Sequence, residues 1–323
     1  MKILVTGATG SLGLPLSIWL QERGHQVTAI GRQASRLQIL RDHHVTALSA
    51  DLCRDDLRDV VAAQDAVVHS AALTRPWGPA SDFTGPNLEA TRRLMTWSLE
   101  TGAKKFIHIS TTAVYYDGTS KTGLTEDSPV PTSHPVQYAA TKWASEKIAA
   151  EFHARGLSVL TLRPRAILSP YDQTLLPRIK PLLERGRFPL INGGHGRIDV
   201  TPVESICEAV LKALEALPRF SGEVYNLTND EPIEIRELIQ WVSEAINQPV
   251  RFVPVPGGVL RAVAHGIEWV WRGRETEPPL SRYALDLISK SQSFDISKIK
   301  RDLGYRPALS TKEAIFRTGA HFR

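Results

Sequence analysis

Tyr138 and Lys142 are four residues apart in the stretch YAATK. On a helix this spacing places a phenol and an ammonium on the same face. Two unit charges about 4 Å apart attract by roughly 4 kcal/mol at an effective dielectric near 20, and one pKa unit corresponds to about 1.36 kcal/mol. The pair could therefore lower the pKa of Tyr138 towards neutrality. Such a tyrosine can exchange a proton with a substrate hydroxyl or carbonyl oxygen.

Hydroxyl side chains precede this pair by about thirty residues. The apolar stretch FIHIS predicts a strand, and Ser110, Thr111 and Thr112 follow at its end. Ligands of open α/β sheets bind at the carboxyl edge of the strands, so one of these hydroxyls can hold the reacting oxygen beside Tyr138. His108, inside the same strand, is predicted to be a packed residue rather than a catalyst, and so is His69.

Three glycines stand at equal steps near the N-terminus, Gly7, Gly10 and Gly13 in TGATGSLG. A strand that turns directly into a helix points the free N–H groups and positive dipole end of the helix at the turn, which suits a diphosphate. Gly7 would permit the tight turn, Gly10 the close approach and Gly13 the strand–helix contact. The spacing differs from G-x-G-x-x-G. Further cofactor contacts are expected at Thr9, Ser11 and Leu12.

The end of the second predicted strand indicates which dinucleotide would bind. An NAD enzyme usually carries Asp or Glu there for the ribose 2′-hydroxyl, whereas this chain has Arg32. A guanidinium suits a 2′-phosphate, so NADP is predicted, with NAD as the alternative. Asp51 could accept a hydrogen bond from the adenine amino group or cap a helix, and Leu52 is expected beside it.

Short apolar stretches alternate with helical patterns through the first half of the chain. The near-continuous apolarity of the predicted strands is typical of a parallel sheet buried on both faces, so we predict an α/β, Rossmann-type doubly wound sheet. Predicted strands are 3–6, 27–30, 45–49, 66–69, 106–110, 158–162 and 224–227. Predicted helices are 12–20, 88–99, 138–152, 175–185, 235–246 and 260–271.

From about residue 164 prolines and glycines become frequent, and helices appear without partner strands. We predict a cofactor domain over residues 1–165 with return segments near 197–228. Residues 166–196 and 229–323 would form a smaller, mostly helical C-terminal substrate domain. The helix predicted at 260–271 is amphipathic, which predicts a peripheral membrane contact that could admit an apolar substrate.

Composition excludes several classes of protein. The net charge of +5 over 323 residues is modest and dispersed, which disfavours nucleic-acid binding. Cys53 and Cys207 form no metal or disulfide pattern, so no metal is expected and a reducing cytoplasm fits best. No apolar stretch approaches the roughly 18 residues of a membrane span.

Five segments together resemble the extended short-chain dehydrogenase/reductase superfamily. They are TGATGSLG, HSAA, STTAVYY, YAATK and LRPRAIL, in order along the chain. The resemblance implies a Rossmann fold, a nicotinamide cofactor, catalysis by Thr111, Tyr138 and Lys142, and a homodimer through the helices near Leu88 and Tyr138. It also implies that Asn87 orders the core near the site. Cofactor contacts implied by the resemblance are Ser70, Ala71, Ala72, Tyr138, Lys142 and Pro164.

Within that superfamily the chain is similar to the 3β-hydroxysteroid dehydrogenase-like branch and its bacterial β-keto acid reductase relatives. The segments behind this similarity include Trp77-Gly78-Pro79 and Asn192-Gly193-Gly194. It implies an NADP(H)-dependent exchange of ketone and secondary alcohol on a hydrophobic substrate, steroid-like or 3-oxo acyl. Substrate contacts are expected at Thr74, Trp77, Thr112, Arg165 and Arg282, with Arg282 a candidate for an anionic group.

Two departures from the family pattern affect the expected pocket. Tyr116 replaces a usual glycine, and Gly85-Pro86 interrupts the approach to the Asn87 helix.

Two other functions remain open. A nucleotide-sugar epimerase would hold NAD tightly with the same catalytic set. A non-catalytic NADP-sensing protein would generally lack the Tyr or the Lys.

Overall fold

The computed structural model describes residues 1–274 and 276–322. Most of the predicted strands are found within one or two residues of their predicted bounds. The strands, in chain order, are β1 (Lys2–Thr6), β2 (Gln26–Gly31), β3 (Thr46–Ser49), β4 (Ala66–His69), β5 (Lys105–Ile109), β6 (Lys121–Leu124), β7 (Val159–Pro164), β8 (Ile167–Leu168), β9 (Arg187–Ile191), β10 (Arg197–Ile198), β11 (Thr201–Pro202), β12 (Val224–Leu227), β13 (Ile233–Glu234), β14 (Arg251–Val255) and β15 (Gln292–Phe294).

Seven of these strands form one parallel sheet in the order β12-β7-β5-β4-β1-β2-β3. The chain reaches the β3 edge and then returns to place β4 beside β1, with Ile3 opposite Ala66. The carboxyl ends of β1 and β4 therefore flank the topological switch point, where ligands of such sheets bind. The predicted Rossmann-type fold class is confirmed.

Helices cover both faces of the sheet and make up much of the C-terminal region. The helix around Asn87 runs through a π-helical turn, Gly85–Glu89, because Pro86 has no N–H to donate within an α-helix. The α-helices are α1 (Gly13–Glu22), α2 (Ala34–Asp42), α3 (Arg58–Ala62), α4 (Ala80–Thr84), α5 (Ala90–Thr101), α6 (Gln137–Ala154), α7 (Leu176–Glu184), α8 (Val203–Ala216), α9 (Ile235–Ala245), α10 (Gly257–Val270), α11 (Arg282–Leu287), α12 (Ser297–Leu303) and α13 (Thr311–Ala320).

The C-terminal region has an apolar core of its own. Leu183, Phe188, Leu238 and Ile315 are buried in one cluster with other side chains of α7, α9 and α13. Short strands that the sequence did not predict join into small sheets, such as β13-β10-β15-β6. The helical C-terminal region is confirmed, while the predicted domain boundaries stay a prediction.

Helix α10 begins three residues before its predicted start and is the least covered helix of the C-terminal region. Ala264 is its one buried residue, whereas Val259 and Trp269 are 60% and 65% exposed. Within residues 1–274 and 276–322, no helix combines the length and the apolarity that crossing a membrane requires.

Candidate active site

The turn after β1 has the shape that a close-lying phosphate needs. Gly7 has φ +68°, and its carbonyl oxygen accepts the N–H of Gly10 at 2.9 Å. A Cβ at Gly7 would lie 2.6 Å from the backbone nitrogen of Ala71, and one at Gly13 only 2.2 Å from the Gly7 carbonyl oxygen. At Gly10 a Cβ would meet only the Gly7 oxygen, at 3.1 Å. Gly7 and Gly13 are thus required by packing, while Gly10 leaves the turn open in front of α1.

Neighbouring residues hold this turn against the sheet. The Thr9 side chain covers the end of β2, where a Cβ at Gly31 would lie 2.4 Å from its methyl carbon. Ser70, after β4, donates its hydroxyl to the Thr6 carbonyl oxygen at 2.7 Å. Leu12 is buried, Ala71 and Ala72 are partly exposed beside the turn, and Pro164 is buried at the end of β7. These residues fit a dinucleotide whose diphosphate lies on the turn, and their roles stay predictions.

A loop from the C-terminal region lies over the same turn. Ser169 donates its hydroxyl to the Ser11 carbonyl oxygen at 2.7 Å, and the Gln173 N–H reaches the Ser11 hydroxyl at 3.0 Å. Arg36 donates to the Thr9 carbonyl oxygen at 3.0 Å. The sequence analysis assigned no role to Arg36. No local pattern indicates that it links this loop to the glycine turn.

Arg32 and Asp51 face each other at the carboxyl edge, with 4.0 Å between Nη1 and Oδ2. The Arg32 side chain is 74% exposed, so it is open to a ligand. Asp51 accepts the Cys53 N–H at 2.9 Å and so closes a turn. No helix begins there, so the alternative that Asp51 caps a helix is wrong. Leu52 lies in that turn, and its carbonyl oxygen accepts from Arg93 at 3.0 Å.

The predicted catalytic residues meet at the carboxyl end of β5. The Thr111 hydroxyl oxygen accepts the Ala113 N–H at 3.1 Å, and the same side chain is near enough to the Tyr138 hydroxyl to lower its pKa. Lys142, one turn further along α6, donates its ammonium to the Ile109 carbonyl oxygen at 2.7 Å. Of the three candidate hydroxyls, Ser110 is instead bound to Glu146, and Thr112 is fully buried with an unpartnered oxygen in the described structure. The geometry singles out Thr111.

Burial controls the ionisation of both groups. It raises the pKa of Tyr138; the Thr111 side chain opposes this rise and the nearby Tyr283 adds to it. Burial also lowers the pKa of Lys142 to about 8, against the Glu146 carboxylate, which raises it. The predicted fall of the Tyr138 pKa towards neutrality is therefore wrong for the protein alone. At neutral pH the phenol is a protonated donor.

A buried ion pair that the sequence analysis missed supports this end of α6. Glu146 accepts from Arg163 through two bonds, Nε to Oε1 at 2.9 Å and Nη2 to Oε2 at 2.6 Å. Both side chains are 4% exposed. The sequence pattern that could have indicated this pair is the four-residue step from Lys142 to Glu146, which places both residues on the helix face of Tyr138.

Two histidines that lie in strands hold the core around the site together. His69 bonds Thr6 and Thr91 through its two ring nitrogens, at 2.7 and 2.9 Å, and burial lowers its pKa to about 3. His108 bonds Ser145 at 2.9 Å, but its other nitrogen has no partner in the described residues. Both are packed, as predicted.

Asn87 links three elements beside the site. It accepts the Leu73 N–H at 2.7 Å and donates to the Leu73 carbonyl oxygen at 3.1 Å and to the Thr141 hydroxyl at 3.0 Å. The loop after β4 is thereby fixed to α6 at the residue before Lys142. This contact gives a physical basis to the ordering role that the resemblance implied.

A cavity of about 290 Å³ is lined in part by Val136 and Tyr283, which pack in one cluster with Tyr138, although Tyr138 itself is not one of its lining residues. Trp77, Tyr116, Trp269, Arg282 and Tyr283 are among its walls. Tyr116, which replaces a glycine of the family pattern, meets Tyr283 edge to face at 5.0 Å between ring centroids and narrows this cavity. Tyr283 also packs with Tyr138 in one cluster. The sequence analysis had singled out only its neighbour, Arg282.

The remaining predicted substrate residues differ in position. Arg282 is held by Glu268, with 2.6 Å between Nε and Oε2, so its charge is already met. Thr74 is exposed on the loop before the cavity wall. Arg165 is 7% exposed after β7, and its Nε has no partner in the described part of the chain. Their contacts with a substrate stay predictions.

The model of the NAD dependent epimerase/dehydratase family matches residues 3–228, well over half of the chain. The chain belongs to this family. It is 31% identical over 331 aligned residues to a 2-alkyl-3-oxoalkanoate reductase of Stenotrophomonas maltophilia, covering 99% of both chains. It is also 25% identical to a 3-beta-hydroxysteroid dehydrogenase of Mycolicibacterium neoaurum, over 97% of this chain and 89% of that one. The predicted membership in the extended short-chain dehydrogenase/reductase superfamily is confirmed, and the chain is an enzyme of the oxidoreductase type.

Solved structures extend the likeness to the whole fold. UDP-glucuronic acid 4-epimerase from Bacillus cereus, solved in complex with NAD, aligns over 99% of this chain and 96% of its own with a TM-score of 0.79. The identity is 22%, so this likeness concerns the fold. Membership in the family implies a nicotinamide dinucleotide cofactor. It does not decide whether that cofactor carries the 2′-phosphate that distinguishes NADP from NAD.

Proposed function

We propose that the protein is an NADP(H)-dependent ketoreductase that interconverts a hydrophobic ketone and its secondary alcohol. The observation that carries this proposal is that Thr111, Tyr138 and Lys142 meet at the sheet edge: Lys142 lies one helical turn after Tyr138 and binds the Ile109 carbonyl oxygen, two residues before Thr111. A reductase of 2-alkyl-3-oxoalkanoates and a 3-beta-hydroxysteroid dehydrogenase among the relatives support such a substrate.

The residues divide the work by position. The glycine turn would hold the diphosphate, with Arg32 at the 2′-phosphate; the bound cofactor supplies or accepts the hydride. Thr111 and Tyr138 would both contact the substrate oxygen, and Tyr138 would donate its proton to that oxygen during reduction. Because burial raises the Tyr138 pKa, the phenol carries this proton at neutral pH. The Lys142 ammonium on the same helix face would stabilise the phenolate that remains.

The experiment is a comparison of Tyr138→Phe with the wild-type enzyme on 3-oxo compounds and sterols, following the loss of NADPH absorbance. General acid catalysis contributes about 10²–10⁴-fold, so kcat should fall by that factor while NADPH binding persists. The matched control is Tyr225→Phe, which removes the hydroxyl of another buried tyrosine, 3.3 Å from Asp302. Unchanged turnover in Tyr138→Phe would remove the proposed acid. Tightly retained NAD with turnover of a nucleotide sugar would favour an epimerase instead.

A further inference from the structure

A partition of side chains separates the cavity from Tyr138. Among the described residues, Tyr116, Val136 and Tyr283 both line the cavity and pack in the cluster around Tyr138. A ketone that enters through the cavity must therefore pass these three side chains before its oxygen reaches the Tyr138 hydroxyl. Val136 has a small side chain at the start of α6, so the two tyrosine rings make up most of the partition.

The ring of Tyr116 is held against the ring of Tyr283. Their centroids are 5.0 Å apart and the interplanar angle is 84°, an edge-to-face arrangement that aromatic pairs favour. The Tyr116 backbone has φ −74° and ψ 123°, a conformation that any residue adopts. The side chain, rather than the backbone, therefore sets the width of the passage from the cavity to Tyr138 at this point.

The hydroxyl of Tyr116 is fixed by a buried carboxylate. It donates to Asp286 Oδ2 at 2.8 Å, and the other Asp286 oxygen is paired with Arg261 of α10. The Asp286 side chain is 1% exposed, so the loss of either donor would leave a buried acceptor unsatisfied. A Cβ at Gly118 would lie 3.6 Å from Asp286 Oδ2, so the backbone also encloses this contact. Tyr116 therefore cannot rotate away without breaking a buried hydrogen bond.

Tyr116 is not equipped to replace Tyr138 as the acid. Burial and the Asp286 carboxylate raise the pKa of Tyr116, and its hydroxyl proton is already donated to that carboxylate. Its contribution to the passage is therefore steric. A rigid ring in a fixed position admits a narrow group and excludes a wide one.

We propose that Tyr116 determines substrate specificity by limiting the width of the group next to the ketone carbon, so that narrow alkyl chains reach Tyr138 and cage-like groups do not. This inference rests on the proposed ketoreductase function and adds a specificity-determining residue to it. One extra methylene in a hydrophobic pocket changes discrimination by about 10–200-fold. Because Tyr283 holds the ring of Tyr116 and Asp286 holds its hydroxyl, the ring cannot yield freely to a wide group.

The test compares two methyl esters of 3-oxo acids that differ in the group on the ketone carbon. One carries a decyl chain, and the other an adamantyl cage, which has the same number of carbon atoms in a wider shape. We expect the wild-type enzyme to favour the decyl ester in kcat/KM by at least about tenfold. In Tyr116→Ala this preference should fall by at least about tenfold, through a gain on the adamantyl ester. An unchanged preference in Tyr116→Ala, or a wild-type enzyme that favours the adamantyl ester, would overturn the proposal.

Two variants control for the loss of the ring. Tyr116→Phe keeps the ring and removes only the hydroxyl, so its preference should stay closer to the wild type than to Tyr116→Ala. A fall of kcat on the decyl ester by about 10²–10⁴-fold in Tyr116→Phe, as for a lost acid catalyst, would assign the hydroxyl a chemical role instead. Trp269→Ala removes a ring of the cavity wall that lies outside the cluster around Tyr138. It should change KM for both esters alike; if it relaxes the preference as Tyr116→Ala does, the proposal is wrong.

A third variant covers a failure to fold. Removal of a buried ring lowers the thermal midpoint, and Tyr116→Leu keeps part of the apolar volume that Tyr116→Ala loses. Tyr116→Leu should show the same loss of preference in smaller degree. A preference equal to that of the wild type in a folded Tyr116→Leu would contradict the proposal.

A binding measurement stands apart from turnover. In the presence of NADP⁺, the 3-hydroxy ester with the decyl chain should raise the thermal midpoint of the wild-type protein more than its adamantyl counterpart does, and Tyr116→Ala should narrow this difference. If the wild type reduces neither ketone, the ketoreductase proposal fails, while the difference in midpoint still decides whether Tyr116 limits what the site admits. If the wild type reduces the decyl ester and Tyr116→Ala keeps the wild-type preference, only the role of Tyr116 is wrong.

Discussion

Glu146 and Arg163 form a two-bond ion pair, at 2.9 and 2.6 Å, in the interior behind Lys142. Glu146 also raises the pKa of Lys142, which burial lowers more strongly. One carboxylate therefore holds β7 to α6 and supports the charge of the proposed catalytic lysine. Glu146 therefore has both a structural and an electrostatic role.

Glu146→Gln should destabilise the protein by about 3–5 kcal/mol, because it leaves the buried Arg163 without its counter-ion. The free energy of unfolding in urea measures this. Glu151→Gln is the control, since it removes a carboxylate from the same helix whose bonds to Arg92 lie at the surface, where ion pairs contribute little. Similar losses in both variants would contradict the assignment.

Thr111→Val should raise the pKa of Tyr138 further, because the side-chain hydroxyl that opposes the effect of burial is lost. Reduction needs the protonated phenol, so the loss of kcat on the alkaline side should move to higher pH. We expect kcat itself to fall by about 10²–10³-fold, as when a donor to the reacting oxygen is removed. The pH profile of kcat is the measurement, and Thr111→Ser should restore both properties. A profile unmoved in Thr111→Val would show that the two hydroxyls act separately.

Gly10→Ala and Gly13→Ala should separate cofactor binding from folding. A Cβ at Gly10 meets one oxygen at 3.1 Å, whereas one at Gly13 would overlap the Gly7 oxygen at 2.2 Å. Gly10→Ala should fold and bind NADPH at least about tenfold more weakly, a difference of about 1.4 kcal/mol. Gly13→Ala should lose about 1–3 kcal/mol of stability or more.

The control for these glycines is Gly266→Ala on α10, where a Cβ meets nothing within 4 Å. It should stabilise the protein by up to about 1 kcal/mol, as alanine does in a helix. Thermal unfolding and NADPH fluorescence follow all three variants. Tight NADPH binding by Gly10→Ala would place the diphosphate elsewhere.

Arg32→Ala should weaken NADPH binding by about tenfold, towards the lower end of a charge-assisted bond because the guanidinium is largely exposed. NADH binding should hardly change. Dissociation constants for both cofactors are the measurement. Arg41→Ala is the control, since Arg41 is exposed and bonds the Ala47 carbonyl oxygen instead. An equal loss for NADPH and NADH would exclude contact with a 2′-phosphate.

Helix α10 carries Val259, Val263 and Trp269 at 60%, 48% and 65% exposure, and the basic residues Arg272 and Arg274 follow its end. We propose that this face contacts an anionic membrane surface, which suits apolar side chains flanked by arginine. Replacing Val263 and Trp269 by Ser should abolish cosedimentation with vesicles that contain anionic lipid. Val253→Ser, at an exposed strand position, should not. Binding that persists in the double variant would contradict the proposal.

Local sequence determined the secondary-structure elements and the order in which reactive side chains occur at the carboxyl edge of the sheet. The TGATGSLG turn, the hydroxyls after β5 and the Tyr138–Lys142 spacing each depend on short-range backbone geometry, which a few residues encode. For this reason the seven strands of the parallel sheet were predicted to within two residues of their observed bounds. The choice of Thr111 over Ser110 needed the partner of Ser110, which lies 36 residues away.

Tertiary structure alone decided the electrostatics and the pocket. The Tyr138 pKa depends on burial by segments distant in sequence, so the attraction calculated for Lys142 in a helix predicted the wrong direction. Whether an arginine is paired depends on which carboxylates the fold brings near: Arg282 meets Glu268, while the Arg165 Nε has no hydrogen-bond partner among the described residues. Spacing along a chain sets which groups share a face, but desolvation and counter-ions are properties of the folded interior.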